Sequence, residues 1–349
     1  MEKYINLLKS LIAIPSLSRN EQDAALIVRQ FLTDSKVTFH SKMNNTWVKN
    51  NYWKEGLPVV MLNSHIDTVN PVSGYTRNPF SPDVEDGVLY GLGSNDAGGA
   101  LVTLLAVFMH FNLMENLPFN LIYVASAEEE ISGNNGLASI LSELGQLNLA
   151  IVGEPTKMQM AIAEKGLVVL DCTAHGKSGH AAREEGENAI YKAISDIEKI
   201  MNYRFEKISP ILGEVKMSVT VINAGAQHNV VPDACSFVID VRTNEFYSNQ
   251  QACEVIDQLI ESDVNPRSFK LNSSAIPLDH PIVQQGIRLG LNCYGSPTTS
   301  DQAVIPYPSI KIGPGDSARS HTADEFILIS ELEEGFRIYL DLLTNLELV

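Results

Sequence analysis

The sequence predicts an α/β fold: a mostly parallel sheet with helices on its faces, interrupted by a smaller α+β domain. Three observations carry this reading. Pro58-Val59-Val60-Met61-Leu62, Asn120-Leu121-Ile122-Tyr123-Val124 and Leu149-Ala150-Ile151-Val152 are short apolar runs separated by helical stripes, the pattern of strands buried on both faces. After about residue 166 the order changes to β-α-β-β-α-β, that of a ferredoxin-like module. The length of 349 residues exceeds the roughly 250–300 at which a single core stops growing. The predicted division is a discontinuous first domain, 1–165 and 276–349, around an inserted domain, 166–275.

Residues 1–35 read as helix, turn and helix. Leu7, Leu8, Leu11 and Ile12 make one stripe, Pro15-Ser16 breaks it, and Ala24, Ala25, Ile27, Val28, Phe31 and Leu32 make the next. Then come strand 58–63, a long Gly/Pro/Ser/Asp-rich loop 68–94, helix 97–112, strand 120–126, helix 135–143 and strand 149–153. The insert supplies strand 167–173, helix 188–201, strands 215–223 and 235–242, helix 247–262 and a last segment 268–271. Helix 281–291, strand 309–312 and helix 330–345 close the chain.

A formal net charge of −17 argues against nucleic acid or an anionic membrane as partner. Apolar content of 44% and charged content of 19% fit a globular protein. Cys172, Cys235, Cys253 and Cys293 lack CxxC spacing and read as reduced thiols of a cytoplasmic protein. The first ten residues do not read as a signal peptide, and no apolar run reaches the ~18 residues of a membrane span.

Five segments present metal-type ligands after strand-like or turn-rich stretches: Ser64-His65-Ile66-Asp67, Ser94-Asn95-Asp96, Ala127-Glu128-Glu129-Glu130, Gly153-Glu154-Pro155 and Ser320-His321-Thr322. In an open α/β sheet the strand carboxyl ends gather at one edge, where ligands bind. His65 and Asp67, two apart, leave on one face, as a ligand histidine and its orienting carboxylate would. Asp96, among Gly93, Gly98 and Gly99, reads when taken alone as the N-cap of the following helix. The adjacent carboxylates Glu128, Glu129 and Glu130 repel unless cations or protons compensate. They also allow one to ligate a metal while its neighbour serves as general base.

Taken together and in this order, these motifs resemble the dinuclear-zinc M20 family of peptidases and amino-acylases over essentially the whole length. The resemblance rests on Ser64-His65-Ile66-Asp67-Thr68-Val69, Gly91 to Gly99, Ser126 to Gly133, Gly153-Glu154-Pro155-Thr156 and His321-Thr322-Ala323-Asp324-Glu325. It implies a dizinc catalytic domain with an inserted lid and dimerisation domain. It also implies two divalent ions, zinc first and cobalt as the alternative. One would be held by His65, Asp96 and Glu154, the other by Asp96, Glu130 and His321, with Asp67 orienting His65. Aligned by its Ile131-Ser132-Gly133 end, the acidic triplet makes Glu129 the general base and Glu130 a ligand; a one-residue slip makes them Glu128 and Glu129. Two positions depart from the family pattern: Ala97 stands where a Lys is frequent, and Glu128 where Asp is usual.

Within the insert, Gly176-Lys177-Ser178-Gly179-His180-Ala181-Ala182 resembles the lid segment whose histidine reaches a neighbouring subunit's site. The resemblance assigns His180 to the oxyanion, and Asn229 and Arg242 to substrate binding. A guanidinium suits a carboxylate because it binds one bidentately. The implied reaction is metal-dependent hydrolysis of an N-acyl amino acid, first N-acetylornithine in arginine biosynthesis. N-acylcitrulline, N-acetyl-lysine, succinyl-diaminopimelate and small peptides are alternatives, and a catalytically dead scaffold is the non-enzymatic one. The implied partners are a small-molecule substrate and a second copy of the chain.

Overall fold

The computed structural model describes residues 1–344 and 346–348; the predicted helix end at 345 and domain end at 349 lie outside the described residues. The chain divides into two units. The first comprises Met1–Ile162, Ala275–Tyr294 and Ser300–Val349, and the second Ala163–Ser274 with Gly295–Thr299. Gly295–Thr299, assigned to the first domain from sequence, thus belongs with the second.

The first unit is organised by a nine-stranded sheet. Its centre is four parallel strands side by side, Asn120–Ser126, Val59–His65, Leu149–Val152 and Ser309–Lys311. Antiparallel strands flank them, Asn45–Lys49 on one side and Met160–Glu164 on the other. The register pairs His65 with Ser126 and both Asn63 and Lys311 with Val152, so the four carboxyl ends reach the same edge, Val152 and Lys311 stopping two residues short of His65 and Ser126.

Both faces are covered. On one, Met61, Ile122, Val124, Ala150 and Val152 pack with Leu137, Ile140 and Leu144. On the other, helix Gly99–Phe111 lies against the sheet, where the Tyr123 hydroxyl donates to the Leu101 carbonyl (3.3 Å) and its ring meets Phe108. This helix is buried almost all round, because helix Glu2–Ile12 and helix Ile329–Leu343 cover its outer side. Its glycines permit the close approach: a Cβ on Gly98 would stand 2.4 Å from the Gly93 carbonyl oxygen, and one on Gly99 2.4 Å from Ile327 Cδ1.

The second unit is an antiparallel four-stranded sheet, Lys216–Ala224, Ala234–Thr243, Gly166–His175 and Asp263–Pro266 in that order. Helices Ala189–Asn202 and Asn249–Leu259 pack on one face through Val168, Leu170, Phe237, Ile239, Ala193, Ile200, Ala252 and Ile256. The first helix is capped by Asn188 and the second by a Ser248/Gln251 capping box. The predicted β-α-β-β-α-β order is present, but its last strand is Asp263–Pro266 rather than 268–271.

Other elements differ from expectation. Helix 135–143 is reduced to a 3₁₀ turn, Leu137–Ser139, and the short helix Leu141–Leu144, since Gly133 and Gly136 bracket the segment with little helix propensity. The loop 68–94 contains the pair Val84–Glu85 and Val88–Tyr90, which Phe326–Leu328 extends to three strands. The strands His40–Lys42, Met160–Glu164 and Cys293–Ser296 were not anticipated. All four cysteines are free thiols. Among the described residues, no helix is long and apolar enough to cross a membrane.

Gly98→Ala is expected to lower unfolding free energy by about 1–3 kcal/mol, because the added methyl overpacks a backbone contact with no flexible atom to yield. A denaturant titration beside wild type reads the loss; an unchanged unfolding free energy would contradict the packing argument.

Candidate metal centre

Because the four central strands run parallel, the turns that follow them deliver their side chains to one edge. His65 closes its strand and is buried. Its Nδ1 lies 2.9 Å from the Asp67 backbone oxygen and 3.5 Å from Asp67 Oδ1. That leaves Nε2 facing the centre, 3.4 Å from Asp96 Oδ1, 3.8 Å from Glu154 Oε1 and 3.9 Å from Glu129 Oε2. His321 Nε2 lies 3.1 Å from Glu130 Oε2 and 3.5 Å from Asp96 Oδ2. The two oxygens of Asp96 therefore face different histidines, the disposition of a bridging carboxylate.

Asp96 does not cap the helix. Gly98 holds the N-cap position, and Asp96 sits before it in the π-type turn Ser94–Gly98, with a cis peptide to Ala97. The turn is held from behind by Glu325, whose buried Oε1 accepts the Asn95 N–H at 2.8 Å and the Asp96 N–H at 2.9 Å.

The acidic triplet separates. Glu128 has left-handed backbone (φ 55) and, though buried, turns away from the histidines, its carboxylate accepting the Asn135 amide N–H and the Asn135 Nδ2. Glu129 and Glu130 follow in a 3₁₀ turn and face the histidines. Their N–H groups donate to Asp67 Oδ1 and Oδ2, at 3.1 and 3.2 Å. Glu129 and Glu130 are thus the two members of the triplet that approach the histidines.

The donor set fits divalent cations. Ligand atoms of His65, Asp96 and Glu130 lie within 4.8 Å of one another, as do those of His65, Glu129 and Glu154. Mixed imidazole and carboxylate donors are those of zinc and of neighbouring first-row metals. Without a cation the cluster is electrostatically frustrated. Burial, and then the nearby Asp96 charge, push the Glu154 carboxyl up to about 8 against the pull of His65. Burial likewise drives the Glu129 carboxyl well above the usual range. His65 loses basicity by burial, but hydrogen bonds to Asp67 and Asp96 more than reverse this. The hydrogen bond to Glu130 raises His321 to about 9.

Several supporting residues carry no motif visible in the sequence. Asp301 is buried and accepts from Ser126 Oγ (2.7 Å) and Asn63 Nδ2 (2.8 Å) beneath the strand ends. Ser18 Oγ donates to Asp67 Oδ2 at 2.7 Å. The sole sequence signal for Asp301 is an acid closing the Ser296–Ser300 polar turn. Glu325 stood in the quoted His321 motif without a role.

His180, Asn229 and Arg242 lie in the second unit. His180 is exposed on the two-residue strand Gly179–His180, paired to Val230–Val231, and the Asn229 carbonyl accepts the Ala181 N–H. These two predicted residues are thus neighbours on one ribbon. Arg242 is different: its Nε and Nη2 form a fork with Asp240 (2.8 and 3.1 Å), leaving Nη1, which donates to Thr299 Oγ1. The bidentate edge expected for a substrate carboxylate is already engaged.

A parallel sheet that gathers histidines and carboxylates at its strand ends is the setting of a metal-dependent hydrolase. The chain belongs to peptidase family M20/M25/M40, whose sequence pattern matches residues 61–345. It is 25% identical to a succinyl-diaminopimelate desuccinylase of Wolbachia pipientis from Culex pipiens, over 98% of this chain and 92% of the relative. It is 24% identical to an acetylornithine deacetylase of Buchnera aphidicola, over 98% and 97%. Among solved structures, aminopeptidase PepT of Bacillus cereus shares the fold with TM-score 0.78 at 19% identity, covering 98% and 97% of the two chains. The YXEP protein of Bacillus subtilis, a dinuclear metal-binding M20 peptidase, superposes with TM-score 0.77 at 18% identity over 100% and 99%.

The metal-free protein is expected to lose stability as pH rises from about 5 to 9. Folded Glu154 keeps its proton up to about 8 while the unfolded chain has released it above about 4.5. The raised His321 contributes fully below about 6.5, and its contribution is lost as pH rises through 9. Thermal melts of chelator-treated protein at pH 5, 7 and 9 check this; a melting point that rises across the window would contradict it. Saturating zinc should abolish the trend, with protons released on binding.

Proposed function

We propose that this chain hydrolyses the amide bond of an N-acyl amino acid, with N-acetylornithine the first substrate to test. The observation that carries the reading is Asp96 facing His65 with one oxygen and His321 with the other, with Glu129 beside His65. In this reading His65, Asp96 and Glu154 hold one divalent ion, and Asp96, Glu130 and His321 the other. Zinc is the first candidate and cobalt the second. When bound, two such ions supply Lewis-acid polarisation of the acyl carbonyl and acidify a water.

The protein's own groups do the rest. Glu129 is not placed in either ligand set, and it takes the proton of the attacking water. Burial raises its proton affinity, and the same carboxyl returns the proton to the leaving amine. Asp67 fixes the tautomer of His65 through Nδ1. His180 donates to the developing oxyanion, and Asn229 and the remaining Nη1 of Arg242 contact the substrate. Relatives named as deacetylases and desuccinylases support an acyl amino acid over a peptide, and they leave the acyl group as the question. A cytoplasmic setting and a place in arginine biosynthesis follow from N-acetylornithine as substrate.

A homodimer through the second unit, acting as the lid, is part of this reading. Tyr191, Ile194 and Met201 are exposed on helix Ala189–Asn202, beside the edge strand Lys216–Ala224 with its exposed Val221 and Ile222. An unpaired edge with apolar side chains is a template for a second copy.

Glu129→Ala should retain metal at the wild-type stoichiometry while losing at least ~10²-fold in kcat. The assay is a panel of N-acetyl and N-succinyl ornithine, citrulline, lysine and diaminopimelate with dipeptides, with zinc or cobalt added. Unchanged turnover would remove Glu129 from the mechanism, and no hydrolysis of any member by wild type would remove the reading itself. Light scattering should give a dimer that Ile194→Lys with Ile222→Lys converts to monomer. Mixing Glu129→Ala and His180→Ala chains should restore part of the activity if His180 acts across the dimer.

A further inference from the structure

Glu21 occupies the N-cap position of helix Gln22–Asp34, yet its side chain makes no cap hydrogen bond. It is wholly buried. Its Oε2 accepts Asn44 Nδ2 at 2.9 Å, and its Oε1 accepts the Arg19 N–H at 2.7 Å and, from far along the chain, the Glu128 N–H at 3.2 Å. Burying a carboxylate is costly unless hydrogen bonds replace its water. A shorter, more exposed Ser or Asp would cap the helix equally well. The helix alone therefore does not account for Glu21.

The Glu128 amide does. Three consecutive N–H groups, of Glu128, Glu129 and Glu130, donate to two carboxylates: the first to Glu21, the next two to Asp67. Ser18, in the same turn as Glu21, holds Asp67 Oδ2. That turn is also stitched to the His65 strand by the Thr68 N–H to the Ser16 carbonyl and by a bridge of Leu17 to Thr68. The left-handed backbone of Glu128 is the pivot that turns its own side chain away from the histidines and the next two toward them. A residue other than glycine holds such a conformation where its surroundings over-determine it, and Glu21 pins its N–H.

We propose that Glu21 is a positioning residue: its buried carboxylate latches the Glu128 amide and thereby sets where Glu129 and Glu130 stand in the centre. The catalytic half of this inference rests on Glu129 acting as the base; the structural half does not. A displacement of about 1 Å at a reacting group can cost 10²-fold, so a loss of the latch is read in kcat.

The test is Glu21→Ala in the full-length metal-loaded protein, which removes both acceptors. Backbone hydrogen exchange of peptides spanning 127–133 should speed by at least about tenfold, and kcat should fall about ten- to hundredfold with KM within twofold. Glu21→Gln, whose amide oxygen can still accept the Glu128 N–H, should restore both readouts toward wild type. Val28→Ala, a buried change in the same helix, controls for destabilisation and should leave both readouts unchanged at a temperature where all variants are folded. Unchanged exchange in Glu21→Ala overturns the latch. Faster exchange with unchanged kcat overturns its catalytic role. Absence of hydrolysis by wild type would refute the proposed function, while the exchange arm would still decide the latch.

Discussion

The carboxylate of Asp67 is the interaction on which the centre depends. It stands at the end of the second parallel strand, fully buried, and its oxygens accept the N–H groups of Glu129 and Glu130 and the hydroxyl of Ser18. Its backbone oxygen meets His65 Nδ1. Four segments distant in sequence are thereby tied at one residue: the helix–turn at the N-terminus, the His65 strand, the acidic turn and, through Glu130, His321. Burial disfavours its charge, but hydrogen bonds and the charge of His65 keep its carboxyl below the usual range. An ionised acceptor beside three donors is stronger than a neutral one.

Around that anchor the centre is built from conflict held in check. Burial first, and neighbouring carboxylates after it, raise the proton affinity of Glu129 and Glu154. The surrounding structure supplies the stiffness that keeps them apart from alternative pairings. Glu325 fixes the Asp96 turn through two amides, and Asp301 ties the Asn63 and Ser126 strand ends. Local arrangements that cost stability in the empty protein are those a divalent cation would relieve.

Much of this was legible from sequence because the strands write themselves plainly. Val59–His65, Asn120–Ser126 and Leu149–Val152 are apolar on both faces, so their ends, and hence His65, Glu129 and Glu154, could be placed at one edge. Asp96 was not legible alone: Gly-rich turns favour capping, and only the π-type turn with Glu325 behind it sends the carboxylate toward the histidines. Glu21, Ser18 and Asp301 were invisible for a related reason. Each stands where local rules already explain it, as a cap or turn residue, and its use lies in a contact made across 49 to 175 positions. The misplaced strand at 268–271 and the broken helix at 135–143 lie where Pro, Gly and Ser leave periodicity weak. For Arg242 the unread part was its neighbour: Asp240, two residues earlier on the same face, holds its Nε and Nη2.

The turn of Glu128 away from the histidines places a constraint on a residue that does no chemistry. A Cβ at Gly133 would stand 2.0 Å from Glu128 Oε2 and 2.6 Å from its Cβ. The acid at 128 and the missing side chain at 133 are thus one constraint seen from two positions. Shortening 128 to Asp would not make room, because the close approach to its Cβ remains. Position 133 has to stay bare whichever acid stands at 128.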